Sequence, residues 1–242
     1  MNCKVMGIVN VTPDSFSDGG SYFRPEEAIR RARNMIDEGA DIIDLGGEST
    51  RPGATPLGWE EEWRRLEPVV AKVVGGAVPV SVDTYHPETA ERAVALGAKI
   101  VNCVFAEPIP AMFDICAKSG AELVIPATSL GSLPRCEGTV PTYLAGTVPI
   151  YLDPMIGFGT TREEDLALLR SVPELAKKGR VLVGASRKRI VKKLTGEKVT
   201  GKNIGGNLAI ALWCARHGAS VVRVHDVKET AQALRVLEAL GD

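Results

Sequence analysis

The 242-residue chain lacks any apolar run that approaches the roughly 18 residues of a membrane span. It also lacks a basic amino end leading into an apolar stretch and a small-residue cleavage site. Neither a membrane helix nor a secretory leader is expected, so the chain reads as soluble and cytoplasmic. A surplus of charge is missing too, since 29 Lys plus Arg stand against 30 Asp plus Glu, for a net charge of −1. That balance argues against a nucleic-acid partner or a polybasic membrane contact, and it confines the cations to local use. Cysteine is scarce: Cys3, Cys103, Cys116, Cys136 and Cys214 have no metal-ligand spacing. An odd number outside any disulfide framework fits a reducing compartment, with core filling as the role of most. No low-complexity segment or linker divides the chain, and with 45% apolar side chains it reads as one domain over residues 1–242.

Short runs rich in Val and Ile recur instead, at Val5–Asn10, Ile42–Gly46, Val78–Asp83, Ile100–Val104, Leu123–Pro126, Val148–Asp153, Val181–Ala185 and Val221–His225. Their length and continuous hydrophobicity suit parallel strands buried on both faces. Helical spacing fills most of the intervals, at Pro25–Glu38, Glu60–Val74, Glu88–Leu96, Glu163–Lys177, Asn203–His217 and Val227–Leu240. Eight alternations in a chain near the typical length of about 250 residues predict a (β/α)8 TIM barrel in preference to an open doubly wound sheet. One interval departs from the rhythm. Residues 127–147 carry Gly131, Pro134, Gly138, Pro141 and Gly146, so the helix between strands five and six is expected to be missing or reduced. The apolar wall it would leave bare favours cover by another subunit.

In such a barrel the chemistry gathers where strands end, at the carboxyl face. Here the first strand runs into Asn10, Thr12, Asp14, Ser15, Ser17 and Asp18, with Pro13 to fix a turn and Gly19-Gly20 to let the backbone bend around a ligand. Asp44 and the Glu48-Ser-Thr-Arg51 stretch follow strand two, Asp83 ends strand three and Asn102 strand four. Asp153, Ser186-Arg187-Lys188 and Arg223-Val-His225 do the same for strands six, seven and eight. Buried charges at strand ends must be paired or must contact a ligand. For Asp44 the two readings balance. For Asp83, Asp153, Lys188 and Arg223 together, convergence of both signs on one cavity favours a ligand. His225, beside Arg223 and opposite the first loop, reads as an anion contact.

Several of these segments carry a resemblance. Gly7-Ile-Val-Asn-Val-Thr-Pro-Asp-Ser-Phe-Ser-Asp-Gly-Gly20, Ile43-Asp-Leu-Gly-Gly-Glu-Ser-Thr-Arg-Pro-Gly53, Ser81-Val-Asp-Thr84, Leu152-Asp-Pro154 with Gly157-Phe-Gly159, Ser186-Arg-Lys188 and Arg223-Val-His-Asp-Val227 resemble, in order, the motifs of the dihydropteroate synthase family. The resemblance implies a pterin-binding barrel that joins 6-hydroxymethyl-7,8-dihydropterin diphosphate to 4-aminobenzoate or a modified arylamine, releasing pyrophosphate in folate biosynthesis. It also implies magnesium (Mg2+) and a homodimer. Carried over by position, Asp153 resembles the carboxylate that takes the pterin's amino-pyrimidine edge, with Asn102 and Asp83 on the remaining ring nitrogens. Lys188 resembles the ammonium between pterin and arylamine, with Ser186 beside it, and Arg223 the planar cation on the ring. Asn10, Thr50, Arg51 and His225 resemble the diphosphate set, and Asn10 could also reach the metal.

The chain departs from the family's motifs at three points, and its interval Ala127–Thr147 is shorter than usual. Asn102-Cys103 stands where members usually show Asn-Asp, Pro126-Ala127-Thr128 where they show Met-His-Met, and Asp153-Pro154-Met155 where they show Asp-Pro-Gly. Three readings follow: a synthase, a pterin-dependent methyltransferase barrel, and a non-catalytic pterin-binding paralogue. The methyltransferase would share the aspartates and the asparagine but has no need of Arg51 or Ser186-Arg-Lys188. The retained first two loops favour the synthase.

Overall fold

The computed structural model describes residues 3–12, 25–48, 55–128, 148–199 and 201–241. Eight parallel strands close on themselves in sequence order: β1 (Lys4–Asn10), β2 (Ile42–Gly46), β3 (Val80–Asp83), β4 (Ile100–Asn102), β5 (Glu122–Pro126), β6 (Ile150–Asp153), β7 (Arg180–Val183) and β8 (Val221–Val224). Closure is made by β1 on β8, with Met6 opposite Arg223 and Gly7 opposite Val224. The outer ring comprises α1 (Pro25–Glu38), α2 (Trp59–Val73), α3 (Pro87–Leu96), α4 (Ile109–Ser119), α5 (Arg162–Arg170), α6 (Val172–Ala176), α7 (Arg189–Thr195), α8 (Ile204–Arg216) and α9 (Val227–Leu240). This is the expected (β/α)8 barrel. None of the described helices is long and apolar enough to cross a membrane.

Alternation along the strands sorts the side chains into two environments. Val5, Val9, Ile43, Leu45, Val82, Val183, Val222 and Val224 pack with Ala28, Ala32, Met35, Leu66 and Val70 of the helices. The other parity points inward and begins with an apolar plug of Met6, Ile42, Ile100, Val124, Tyr151, Leu182 and Val221. Two residues further along those strands stand Asp44, Asn102, Asp153 and Arg223, so the plug forms the floor and the polar layer lies above it. Gly7 is on the outward parity. A Cβ there would lie 2.8 Å from Met35 Sδ and 3.1 Å from Val227 Cγ2, so its lack of a side chain is what lets β1 approach α1 and α9.

Differences from the sequence reading are local. The helix expected over 163–177 is broken into α5 and α6 at Ser171, because Pro173 lacks an N–H and its ring would clash with the carbonyl four residues back. Two helices lie outside the expected set: α4, which buries Ile109, Met112 and Cys116, and the short basic α7. The expected loss of the helix after β5 falls on residues 129–147, outside the described residues.

Candidate active site

The carboxyl end of the barrel holds a buried ion cluster built by β2, β3, β4 and β8. Arg223 Nε donates to Asp44 Oδ2 at 2.6 Å and its Nη2 to Asp83 Oδ2 at 2.5 Å. Asn102 Nδ2 donates to the same Asp44 oxygen at 3.3 Å. Asp44 is fully buried and through Oδ2 is the counter-charge that fixes the guanidinium plane, while its Oδ1 has no partner among the described residues, so the structural role is occupied by one oxygen and the other is left for a ligand. Burial works against the Arg223 cation, but Asp44 and Asp83 outweigh it and hold the group charged. Asp83 is pushed up to about 7 by burial, against the pull of Arg223 and with repulsion from Asp44 and Glu62 adding to the rise.

The same cluster is short of donors. Asp44 Oδ1, Asp83 Oδ1 and Asn102 Oδ1 are buried and have no hydrogen-bond partner among the described residues. A buried acceptor left unmade costs about 1–3 kcal/mol. Three such buried acceptors at one barrel mouth lack donors that a ligand rich in N–H groups would supply.

Asp153 and Lys188 supply the second charge pair. Burial raises Asp153 despite the opposing ammonium of Lys188 and the Met155 N–H, which donates to Oδ1 at 2.7 Å. Burial likewise lowers Lys188 to about 8, with Asp153 pulling it back up. Lys188 Nζ donates to the Ile156 carbonyl at 2.6 Å and lies 4.4 Å from the centre of the Phe158 ring. Gly157, at φ 80°, leaves room for that stem, since a Cβ there would come within 2.9 Å of Lys188 Cδ. The buried Asp165 holds this turn, accepting from Gly157 N at 2.7 Å and Thr160 Oγ1 at 2.5 Å. Met155, which replaces the family's glycine, sits at φ 65°, a left-handed conformation that costs a side-chain-bearing residue roughly 1–2 kcal/mol.

On the β7–β8 side, Ser186 Oγ lies 3.1 Å from His225 Nδ1 and accepts from the His225 N–H at 3.2 Å. Asn10 ends β1 opposite Gly46 of β2. Asp83, Asn102, Asp153, Ser186, Lys188, Arg223 and His225 are thus all placed at the carboxyl face, while Thr50, Arg51 and the segment from Pro13 to Gly20 lie outside the described residues. Glu48, at the start of the second loop, accepts from Tyr85 Oη at 2.6 Å and Leu57 N at 3.1 Å and lies 3.3 Å from His86 Nε2.

Sequence reasoning had missed Glu62. It is fully buried on α2, accepts from Thr84 Oγ1 at 2.7 Å and is pushed upward by burial. The available signal was its place on the stripe of Leu66, Val69 and Val73, at spacings of four, seven and eleven residues. Of the three departures, Cys103 joins the apolar layer between barrel and helices, and its thiol is pushed up to about 12 by burial.

The family profile described as "Pterin binding enzyme" matches residues 6–143 and 144–225. The dihydropteroate synthase of Neisseria meningitidis serogroup B is 43% identical over 98% of this chain and 93% of its own length. That of Escherichia coli strain K12 is 37% identical over 97% of this chain and 90% of its own. Among solved structures, the Xanthomonas albilineans dihydropteroate synthase with 4-aminobenzoic acid superposes with a TM-score of 0.86 at 39% identity, covering 99% of this chain and 93% of that one. A structure of dihydropteroate synthase from the same organism in complex with 7,8-dihydropteroate superposes at 0.82 and 35% identity, covering 99% and 94%.

Proposed function

The chain belongs to the dihydropteroate synthases, transferases of folate biosynthesis, and we propose that it condenses 6-hydroxymethyl-7,8-dihydropterin diphosphate with 4-aminobenzoate and releases pyrophosphate. The observation that carries the reading is the set of buried oxygens on Asp44, Asp83 and Asn102 that have no donor among the described residues. Beside the Asp153 carboxyl they match the N–H-rich edge of a pterin. Solved relatives named with 4-aminobenzoic acid and with 7,8-dihydropteroate support the same pair of substrates.

In the proposed reaction the bond between the pterin's methylene carbon and the diphosphate oxygen breaks, and the arylamine nitrogen forms the new C–N bond and sheds one proton. No side-chain nucleophile is required. Asp44, Asp83 and Asp153 against Arg223 and Lys188 leave one net negative charge when all are ionised, which favours the cation that develops on the pterin as the diphosphate departs. Arg223, clamped in plane by its two aspartates, offers a flat cation to the ring, and Lys188 stands between pterin and arylamine with Ser186 beside it. Thr50, Arg51 and His225 receive the departing anion.

Magnesium fits this arrangement as a guest of the diphosphate. Among the described residues no three His, Cys, Asp or Glu side chains group around a cation position, whereas Asn10 offers an oxygen at the mouth. Magnesium is commonly held by one or two protein oxygens plus substrate phosphates. When bound it would neutralise charge on the leaving group.

We also propose a cytoplasmic homodimer. The cytoplasmic reading rests on cysteine usage: those among the described residues, Cys3, Cys103, Cys116 and Cys214, are all free. The dimer is supported by α8, which buries Asn207, Ala211, Cys214 and Ala215 against the barrel, packs Ile210 and Leu212 partly against the same core, and leaves Leu208 only partly buried and Trp213, stacked on His217, exposed. Leu194 on neighbouring α7 is exposed as well.

Pyrophosphate release is the test. It is expected only when pterin diphosphate, an arylamine and magnesium are all present, because a reaction without an enzymic nucleophile depends on positioning both partners. Tight pterin binding with no turnover for any arylamine would identify the non-catalytic paralogue, and methyl transfer to a corrinoid partner the methyltransferase.

The pH profile follows from two buried groups. Asp83 must be ionised to accept from the pterin, so activity rises as pH passes about 7. Lys188 must be protonated, so activity falls beyond about 8. The profile of kcat/KM, which reports the free enzyme, is therefore expected to be a narrow bell between those limbs. A flat profile from pH 6 to 9 would remove both groups from the reaction. The stability signs differ. Between the ordinary carboxylate range and pH 7 the folded state holds the Asp83 proton that the unfolded chain has lost, so this contribution weakens as pH rises. Above about 8 the unfolded chain holds the Lys188 proton that the folded state has lost, so that contribution strengthens.

A further inference from the structure

Only two described residues other than glycine have left-handed backbones, Met155 at φ 65° and Arg187 at φ 59°. Arg187 stands between two residues assigned to the substrates, Ser186 and Lys188, yet its own side chain turns elsewhere. Its Nη2 donates to Asp226 Oδ1 at 2.5 Å. The other Asp226 oxygen accepts from Asn207 Nδ2 at 3.1 Å, and Asn207 Oδ1 accepts from the Arg187 backbone N–H, also at 3.1 Å. The three residues close a ring that grips both the side chain and the backbone of Arg187. Its members come from three places: the turn after β7, the inner face of α8 and the residue after His225.

We propose that Asp226, with Asn207, is a positioning residue that latches the turn after β7 in its left-handed form and so aims Ser186 and Lys188 at the substrates. The arrangement has a direct consequence for the site. With Arg187 left-handed, Ser186 Oγ reaches His225 Nδ1, while Lys188 starts α7 as its N-cap residue and sends Nζ back over Phe158 to the Ile156 carbonyl. An L-residue abandons that conformation when nothing holds it, whereas glycine adopts it freely. The latch ties together the ends of β7 and β8, each of which supplies a group to the same pocket. It is built from charge-assisted hydrogen bonds, with Asp226 only 9% exposed and the Arg187 side chain 33% exposed, so its acidic end is shielded from water and its basic end partly so. The guanidinium is turned to the latch through Nη2, with its buried Nε unpartnered among the described residues, which leaves Lys188 as the cation that the Ser186-Arg187-Lys188 segment presents to the substrates.

This inference rests on the pterin and arylamine reading of Ser186 and Lys188, and glycine rescue separates the two. Asp226→Asn and Arg187→Ala are each expected to lower kcat/KM by about 10-fold to 100-fold, the scale of a misaimed group near the reacting atoms. The double variant Asp226→Asn with Arg187→Gly should return close to the wild-type rate, because glycine holds the turn without a latch. If the double variant stays as slow as Asp226→Asn, or if Arg187→Gly is as impaired as Arg187→Ala, the turn is not what matters and the proposal fails. Should Asp226→Asn not fold, the comparison of Arg187→Gly with Arg187→Ala carries the test alone. Affinity for bare pterin, measured by calorimetry across the series, reads the aim of Lys188 without turnover. If the wild type binds pterin but turns over no arylamine, the synthase reading falls, and the latch is then judged on whether pterin affinity falls in Arg187→Ala and returns in Arg187→Gly.

Discussion

Replacing Asp153 by asparagine is expected to weaken pterin binding by roughly 2–5 kcal/mol, the usual range for truncating one side of a buried hydrogen-bonded charge pair. Asp153 is 6% exposed, and its described hydrogen bond is from the Met155 N–H to Oδ1. Asparagine keeps the shape but turns one acceptor into a donor, which would then face the N–H groups of the pterin edge. The fold should survive, since burial already acts against the Asp153 charge and the neutral amide relieves that penalty. Calorimetry with bare pterin is the measurement. Unchanged affinity would make Asp153 structural and place the pocket elsewhere.

A second large effect is expected on the other side of the substrate. Arg51→Ala and His225→Ala each remove a group assigned to the departing diphosphate, so turnover should fall about 100-fold to 1,000-fold while bare pterin still binds. Arg51→Lys should rescue only in part, because a point charge replaces a bidentate fork. The competing account is that Arg51 merely braces the second loop against Glu48 or Asp44. Both carboxylates have other partners: Tyr85, His86 and the Leu57 N–H for Glu48, and Arg223 with Asn102 for Asp44. A variant that lost thermal stability, and bound bare pterin and pterin diphosphate equally poorly, would favour the brace.

The barrel was legible because its strands are buried on both faces and read as unbroken Val- and Ile-rich runs, and because polar residues at their ends interrupt those runs abruptly. Asp83, Asn102, Asp153 and Arg223 were visible for that reason, and the structure puts them on inward-facing positions above the apolar plug. What escaped was pairing. Nothing in the order of residues says that Arg223 takes Asp44 and Asp83 together, since 179 and 140 positions separate them. Glu62 escaped because a glutamate on an amphipathic helix is ordinarily solvated, and only its alignment with Leu66, Val69 and Val73 hints otherwise. Arg187 was named with Ser186 and Lys188, but its left-handed turn and its pairing with Asp226 escaped because a backbone angle leaves no mark in composition. Met155 was noticed as a departure, but its left-handed φ shows what the departure entails: it occupies a position whose geometry suits glycine.

The central claim is that the donor-poor oxygens of the barrel mouth accept from the amino-pyrimidine edge of a pterin. Titration calorimetry comparing a pterin with the otherwise identical ring that carries a 2-oxo group in place of the 2-amino group tests it most directly. The 2-oxo compound sets an acceptor against acceptors. It should bind at least about 10-fold more weakly, since a site built to hydrogen-bond a donor rejects an analogue that leaves buried polar groups unpaired. Equal affinity for the two rings would contradict the account.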